Sequence, residues 1–123
     1  MRRVRAHAVV GQQRARRRRQ YAEYMASAAW HIRRRRWVEE EEQRTGAPVC
    51  CAVCGSEDWD DLHHLTYDRM EQERHGDMVA LCRPHHEQLH RAYDAGRWRH
   101  LGYEAVMRRL LRLAREEHER RRT

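Results

Sequence analysis

"DMVALCRPHHEQLH", residues 77–90, holds a strand, half of a metal knuckle and the start of a helix in one short run. Asp77 to Cys82 is a short apolar stretch that stops at a polar, proline-containing segment, which reads as a β-strand. Pro84 suits the first turn of a helix, where its missing N–H would have no partner, and Gly96 closes the helical pattern. Cys82 and His85 straddle the strand-to-helix junction in a C-x-x-H spacing. His86 and His90 are four apart, so a helix puts them on one face where they can grip one ion. His85 is turned by about 100° from His86 and points elsewhere. Neighbouring histidines on this helix therefore serve different ions.

Upstream lie the partners that each half-site needs. "PVCCAVCG", residues 48–55, reads as a tight turn containing Cys51-x-x-Cys54-Gly55. A two-residue gap lets the chain reverse and bring both sulfurs to one ion, and Gly55 permits the backbone this needs. With Cys82 and His85 the set makes four N/S ligands, a closed tetrahedral zinc site of structural type. Cys50 could replace Cys51 at a longer spacing, but the two-residue gap favours Cys51. A disulfide is the alternative use of these thiols. "WDDLHHLT", residues 59–66, reads as a second strand, with His63 and His64 supplying the nitrogens that join His86 and His90. A strand sends adjacent side chains to opposite faces, so both reach one site only if the strand ends there and the chain bends. Three imidazoles leave positions open for water and an anionic oxygen, as at catalytic metals. A further histidine beside them can serve as general base. Surface histidines are the plainer reading of the pair taken alone.

The chain has 123 residues, no Phe and 37% charged residues, so its core is thin and a metal would help hold the fold. The sequence contains neither a secretory signal nor a run able to cross a membrane, and a cytoplasmic, reducing setting is expected. That setting favours metal-bound thiolates over disulfides. All 26 basic residues are Arg, which codon bias explains without chemistry. Residues 1–36 hold twelve Arg against Glu23, residues 50–95 hold four Arg against ten acidic residues, and the tail is basic again. Basic flanks around an acidic centre suggest a polyanion held outside and cations held inside. The clusters Arg16, Arg17, Arg18, Arg19 and Arg33, Arg34, Arg35, Arg36 are the candidate DNA contacts, with solvated helix surface as the bland alternative.

Four segments are expected. Residues 1–13 form a mobile basic arm, and 14–46 an Arg-rich helical segment that Ser27 caps and Gly46 and Pro48 end. Residues 47–96 form the metal-bearing core, and 97–123 an amphipathic helix with Val106, Leu110, Leu113 and Ala114 inward. In the second segment Tyr21, Tyr24, Met25 and Ala28 recur at helical spacing, as do Ala29, Ile32 and, at the same spacing, Arg33, and Trp30 and Trp37 share a face.

The order Cys-x-x-Cys-Gly, then "LHHLTYDRM" with Glu73, then "DMVALCRPHHEQLH", resembles the HNH endonucleases with a zinc knuckle, over about residues 21 to 91. The resemblance implies an α+β fold: a small ββα-metal core flanked by terminal helices. It puts His63 at the first metal-ligand position, His64 at the general base and Asp77 at the middle position, usually Asn, that orients the base. His86 and His90 follow as metal ligands. The implied reaction is hydrolysis of DNA phosphodiesters. His64 takes a proton from water, hydroxide attacks phosphorus, and a divalent ion (Mg²⁺, Mn²⁺, Ni²⁺ or Zn²⁺) stabilises the charge. A structural Zn²⁺ would sit in the knuckle. Similar small proteins occur in phage and mobile-element contexts. Three departures stand out: Asp77 for Asn, His85 for the fourth Cys of the knuckle, and Glu71 where the loop commonly has Gly. Tyr67 and Glu73 match positions often filled that way, and packing accounts for them as well as catalysis does. The competing functions are a zinc-stabilised DNA-binding module without catalysis and an adaptor whose terminal helices dock a protein partner.

Overall fold

Ser27 ends one helix and begins the next. Its Oγ donates to the Tyr24 carbonyl at 2.6 Å and accepts the Trp30 N–H at 3.2 Å, the bond an N-cap makes to the third helical residue. The computed structural model describes residues 2–96 and 98–122. α1 spans Arg2–Met25 and α2 spans Ala28–Thr45. Residues 2–13 of the expected basic arm lie within α1, whose Arg, Ala and Gln favour helix with no proline to interrupt them. Gly46 closes α2 in the left-handed conformation, φ 69°, with its N–H on the Glu42 carbonyl at 2.8 Å.

The chain divides into two units, Met1–Arg36 and Trp37–Thr123. In the first, Tyr24 and Trp30 pack edge to face with centroids 5.6 Å apart. The buried face of α2 runs through Trp30, Arg33 and Trp37, at spacings of three and four, so the two tryptophans do share a face. Ile32, expected inward, is 61% exposed, because two residues from Trp30 is about 200° round the helix.

The second unit is α+β. β1 (Asp61–His64) and β2 (Met78–Leu81) form an antiparallel pair in which His63 faces Val79 and His64 faces Met78. α3 (Arg83–Asp94) follows at once, with Cys82 as its cap residue and Pro84 in its first turn. α4 (Tyr103–Arg122) returns across the core. Leu81 and Leu89 meet Val106, Met107, Leu110 and Leu111 there, each worth about 1.5–3 kcal/mol when fully buried. Leu113 is 40% exposed. Met107 and Leu111 draw the buried arc of α4 round and leave Leu113 at its edge. The tail expected as a separate segment thus supplies much of this unit's core.

Trp37 pins the end of α2 into the same unit. Its Nε1 donates to the His75 carbonyl at 3.0 Å, and its ring stacks on the His75 imidazole at 5.0 Å. Glu41 Oε1 lies 2.8 Å from His75 Nε2, so the acidic run of α2 has a partner of its own besides Arg44.

Candidate metal centres

The knuckle Cys51–Gly55 is a reverse turn closed by its own backbone. The Gly55 N–H reaches the Cys51 carbonyl at 2.9 Å and the Cys51 N–H reaches the Ser56 carbonyl at 2.8 Å. Gly55 holds φ 76°, which a side chain would resist. The Val53 N–H points at Cys51 Sγ from 3.4 Å, as expected where a sulfur carries negative charge. The Ala52 N–H bonds the Ala80 carbonyl at 2.8 Å, and Arg115 of α4 donates to the Ala52 carbonyl at 2.7 Å. Strand and helix therefore hold the turn from both sides.

Cys51, Cys54, Cys82 and His85 converge there, and the group could hold a metal ion. The separations fit tetrahedral zinc. Bonds of about 2.3 Å to sulfur and 2.0–2.1 Å to nitrogen put neighbouring ligands about 3.8 Å apart for S–S and 3.6 Å for S–N. Cys54 Sγ and Cys82 Sγ are 3.8 Å apart, and His85 Nδ1 is 3.8 Å from Cys51 Sγ and 3.2 Å from Cys82 Sγ. Burial pushes the Cys82 thiol up to about 11. Burial acts the same way on Cys51, but N–H groups of Cys82, Cys54 and Val53 outweigh it and hold that thiol below its ordinary value. Cys50 is exposed and outside the group, whereas Cys51, at the two-residue spacing, is part of it.

A second group could also hold an ion: His63 from β1 with His86 and His90 from α3. His86 Nε2 and His90 Nε2 are 3.0 Å apart, and the His63 ring sits 5.2 Å from both rings. Two ligands at about 2.1 Å and a right angle would be separated by about 3.0 Å, an octahedral edge. Burial, then the neighbouring His86, His90 and His64, pushes His63 down to about 3. Burial and His86 likewise lower His90. Both imidazoles are consequently neutral near pH 7 and carry a lone pair for a cation. Asp61 Oδ2 lies 3.1 Å from His86 Nδ1, which leaves Nε2 directed at the cluster. Sequence reasoning missed Asp61, although strand alternation puts it on the same face as His63.

His64 faces the other way. It is buried, its Nε2 is 2.8 Å from Glu73 Oε2, and the Tyr67 ring lies nearly parallel to it at 5.3 Å. Tyr103 of α4 donates its hydroxyl to the His64 carbonyl at 2.9 Å and fixes this end of β1. Asp77 is not the carboxylate at His64. It accepts two hydrogen bonds from the Arg69 guanidinium and one from the Arg74 N–H at 2.9 Å, and these occupy it. Hydrogen bonding by Arg69 holds its carboxyl below the ordinary value. An aspartate draws that guanidinium in a way an amide would not, which explains the different role. Glu71 takes φ 76°, so the loop keeps the left-handed turn that a glycine would favour.

The basic clusters differ in exposure. Arg16, Arg17, Arg18 and Arg19 are exposed on α1, as are Arg35 and Arg36 on α2. Arg34 is half-buried, and Arg33 is buried on the Trp30 face, so it is no surface contact. Among the described residues no helix is long and apolar enough to cross a membrane. No family model matches the chain, and no curated protein or solved structure matches it.

Proposed function

We propose that this protein is a metal-dependent endonuclease of the HNH type, hydrolysing DNA phosphodiesters with a ββα-metal core. The observation that carries the reading is the convergence of His63, His86 and His90 from two elements, with His64 next to His63 in the chain. A structural module needs only the cysteine knuckle, whereas a three-imidazole group retains positions for water and a phosphate oxygen. His86 and His90 with His63 would hold a divalent ion that supplies charge stabilisation at phosphorus. His64 would take the proton from the attacking water, and the exposed arginines of α1 and α2 would bind backbone phosphates.

One observation favours the second reading, a zinc-stabilised DNA-binding module. The His64 side chain is only 1% exposed, with the Tyr67 ring stacked on it, so the attacking water has little access to it here. Supercoiled-plasmid conversion at low salt with Mg²⁺, Mn²⁺ or Ni²⁺ separates the two. Nicking that disappears in folded, zinc-replete His64→Ala supports the nuclease. DNA binding with no cleavage under any of these metals refutes it and leaves the binding module.

A further inference from the structure

We infer that Glu73 is the positioning residue for His64, fixing its ring and holding its proton on Nε2, so that Nδ1 is the basic nitrogen. The inference deepens the nuclease reading, and its kinetic part rests on that reading. The tautomer assignment does not.

The 2.8 Å contact joins His64 Nε2 to Glu73 Oε2, and a carboxylate there accepts only from a proton on Nε2, which is the tautomer we assign. Both side chains are shut away from solvent, at 1% and 0% exposure, where a hydrogen bond has little competition from water. The loop is built to deliver Glu73 to this place. Its far end is clipped by Arg69 and the Arg74 N–H on Asp77, and its near end by the Leu65 N–H on the Asp77 carbonyl at 2.7 Å. The Gln72 N–H turns back to the Arg69 carbonyl at 2.8 Å, and the left-handed Glu71 then redirects the chain two residues before Glu73. Asp77 thereby shapes the loop, and Glu73 makes the contact with the imidazole.

The test uses the full-length, zinc-replete protein with ¹⁵N-labelled histidine at pH 7.5. Long-range ¹H–¹⁵N spectra report which ring nitrogen of His64 carries the proton. The expected result is the Nε2–H tautomer in wild type and in Asp77→Asn, with the ring signals of His64 altered in Glu73→Met. An Nδ1–H or doubly protonated His64 in wild type overturns the assignment, as does a Glu73→Met spectrum unchanged at His64. In plasmid cleavage, Glu73→Met should lower kcat by about 100-fold or more with KM little changed, by analogy with losing the carboxylate behind a catalytic histidine. Glu73→Gln keeps an acceptor oxygen and should recover part of that loss. Equal activity of Glu73→Met and wild type overturns the positioning role. If wild type cleaves nothing, the nuclease reading falls, while the spectra still decide the tautomer.

Discussion

Replacing Glu71 by glycine should make the protein more stable. Glu71 sits at φ 76°, a left-handed conformation that costs an L-residue about 1–2 kcal/mol through the close approach of Cβ to the backbone. Glycine removes that cost but brings about 0.5–1 kcal/mol of extra backbone entropy to the unfolded chain. The side chain is exposed, so packing changes little. The difference is a net gain of about 0.5–1 kcal/mol, or a rise in Tm of about 2–4 °C for a chain of this size. Urea titration of zinc-saturated protein by far-UV circular dichroism measures it, with the slope required to stay constant. Glu71→Ala is the control, since it deletes the carboxylate and keeps Cβ, and it should remain near wild type. Glu71→Asn should fall between, because asparagine tolerates the left-handed region better. Glycine no more stable than wild type, or alanine matching glycine, would refute the reasoning and remove backbone strain from this loop.

Three further perturbations test other parts. Asp77→Ala should cost about 2–4 kcal/mol, because a buried acceptor of three hydrogen bonds is lost and Arg69 is left unmatched. Asp77's depressed folded pKa means its contribution is present above the unfolded value and lost as pH falls through the folded one. Asp77→Asn should therefore be less destabilising than alanine and should flatten the stability–pH curve on the acid side, from the ordinary carboxylate range downward, measured by urea titration. Asp61→Ala should weaken binding of a divalent ion at the His63 group by about 10–100-fold in calorimetry, with one zinc per chain still present at the cysteines. Cys54→Ser should lose that zinc by elemental analysis, and its near-UV circular dichroism should collapse, since structural zinc supplies about 10 kcal/mol or more of folding free energy in small domains.

The two groups that could hold a metal ion were legible because such chemistry leaves marks at fixed spacing. Cys51-x-x-Cys54, Cys82-x-x-His85 and His86-x-x-x-His90 each follow from the geometry of a turn or a helix, but of the two histidines expected to join His86 and His90 only His63 does, because strand alternation turns His64 to Glu73. Ser27, Gly46 and Pro84 acted through local backbone rules, so their roles could be read without the fold. Glu73 could not be found this way. It lies in a loop with no period, and its partnership depends on where Arg69, Asp77 and Glu71 send the chain. The partner of Asp77 was hidden for the same reason, because a carboxylate beside a motif gives no hint that a guanidinium eight residues away will take it. Ile32 and Leu113 failed for a different reason. Apolar spacing defines several overlapping arcs on a helix, and only tertiary packing selects which arc is buried.

Two elementary periods keep four histidines in three distinct places. Strand alternation turns His63 toward α3 and His64 toward the loop that carries Glu73. The helical angle then gives His85 to the cysteines and His86 to His63. These assignments are mechanically joined, since the N-terminus of α3 starts at the knuckle and the His86 N–H bonds the Cys82 carbonyl at 2.9 Å. An ion on Cys82 and His85 would fix the helix turn that presents His86, and thermodynamic linkage makes the benefit mutual. A one-residue slip of β1 would exchange the two faces, setting His64 against α3 and sending Asp61 and His63 away from it. Asp61 on His86 and Glu73 on His64 oppose that slip from both sides of the strand, so the carboxylates that orient the imidazoles also hold the register on which their separation depends.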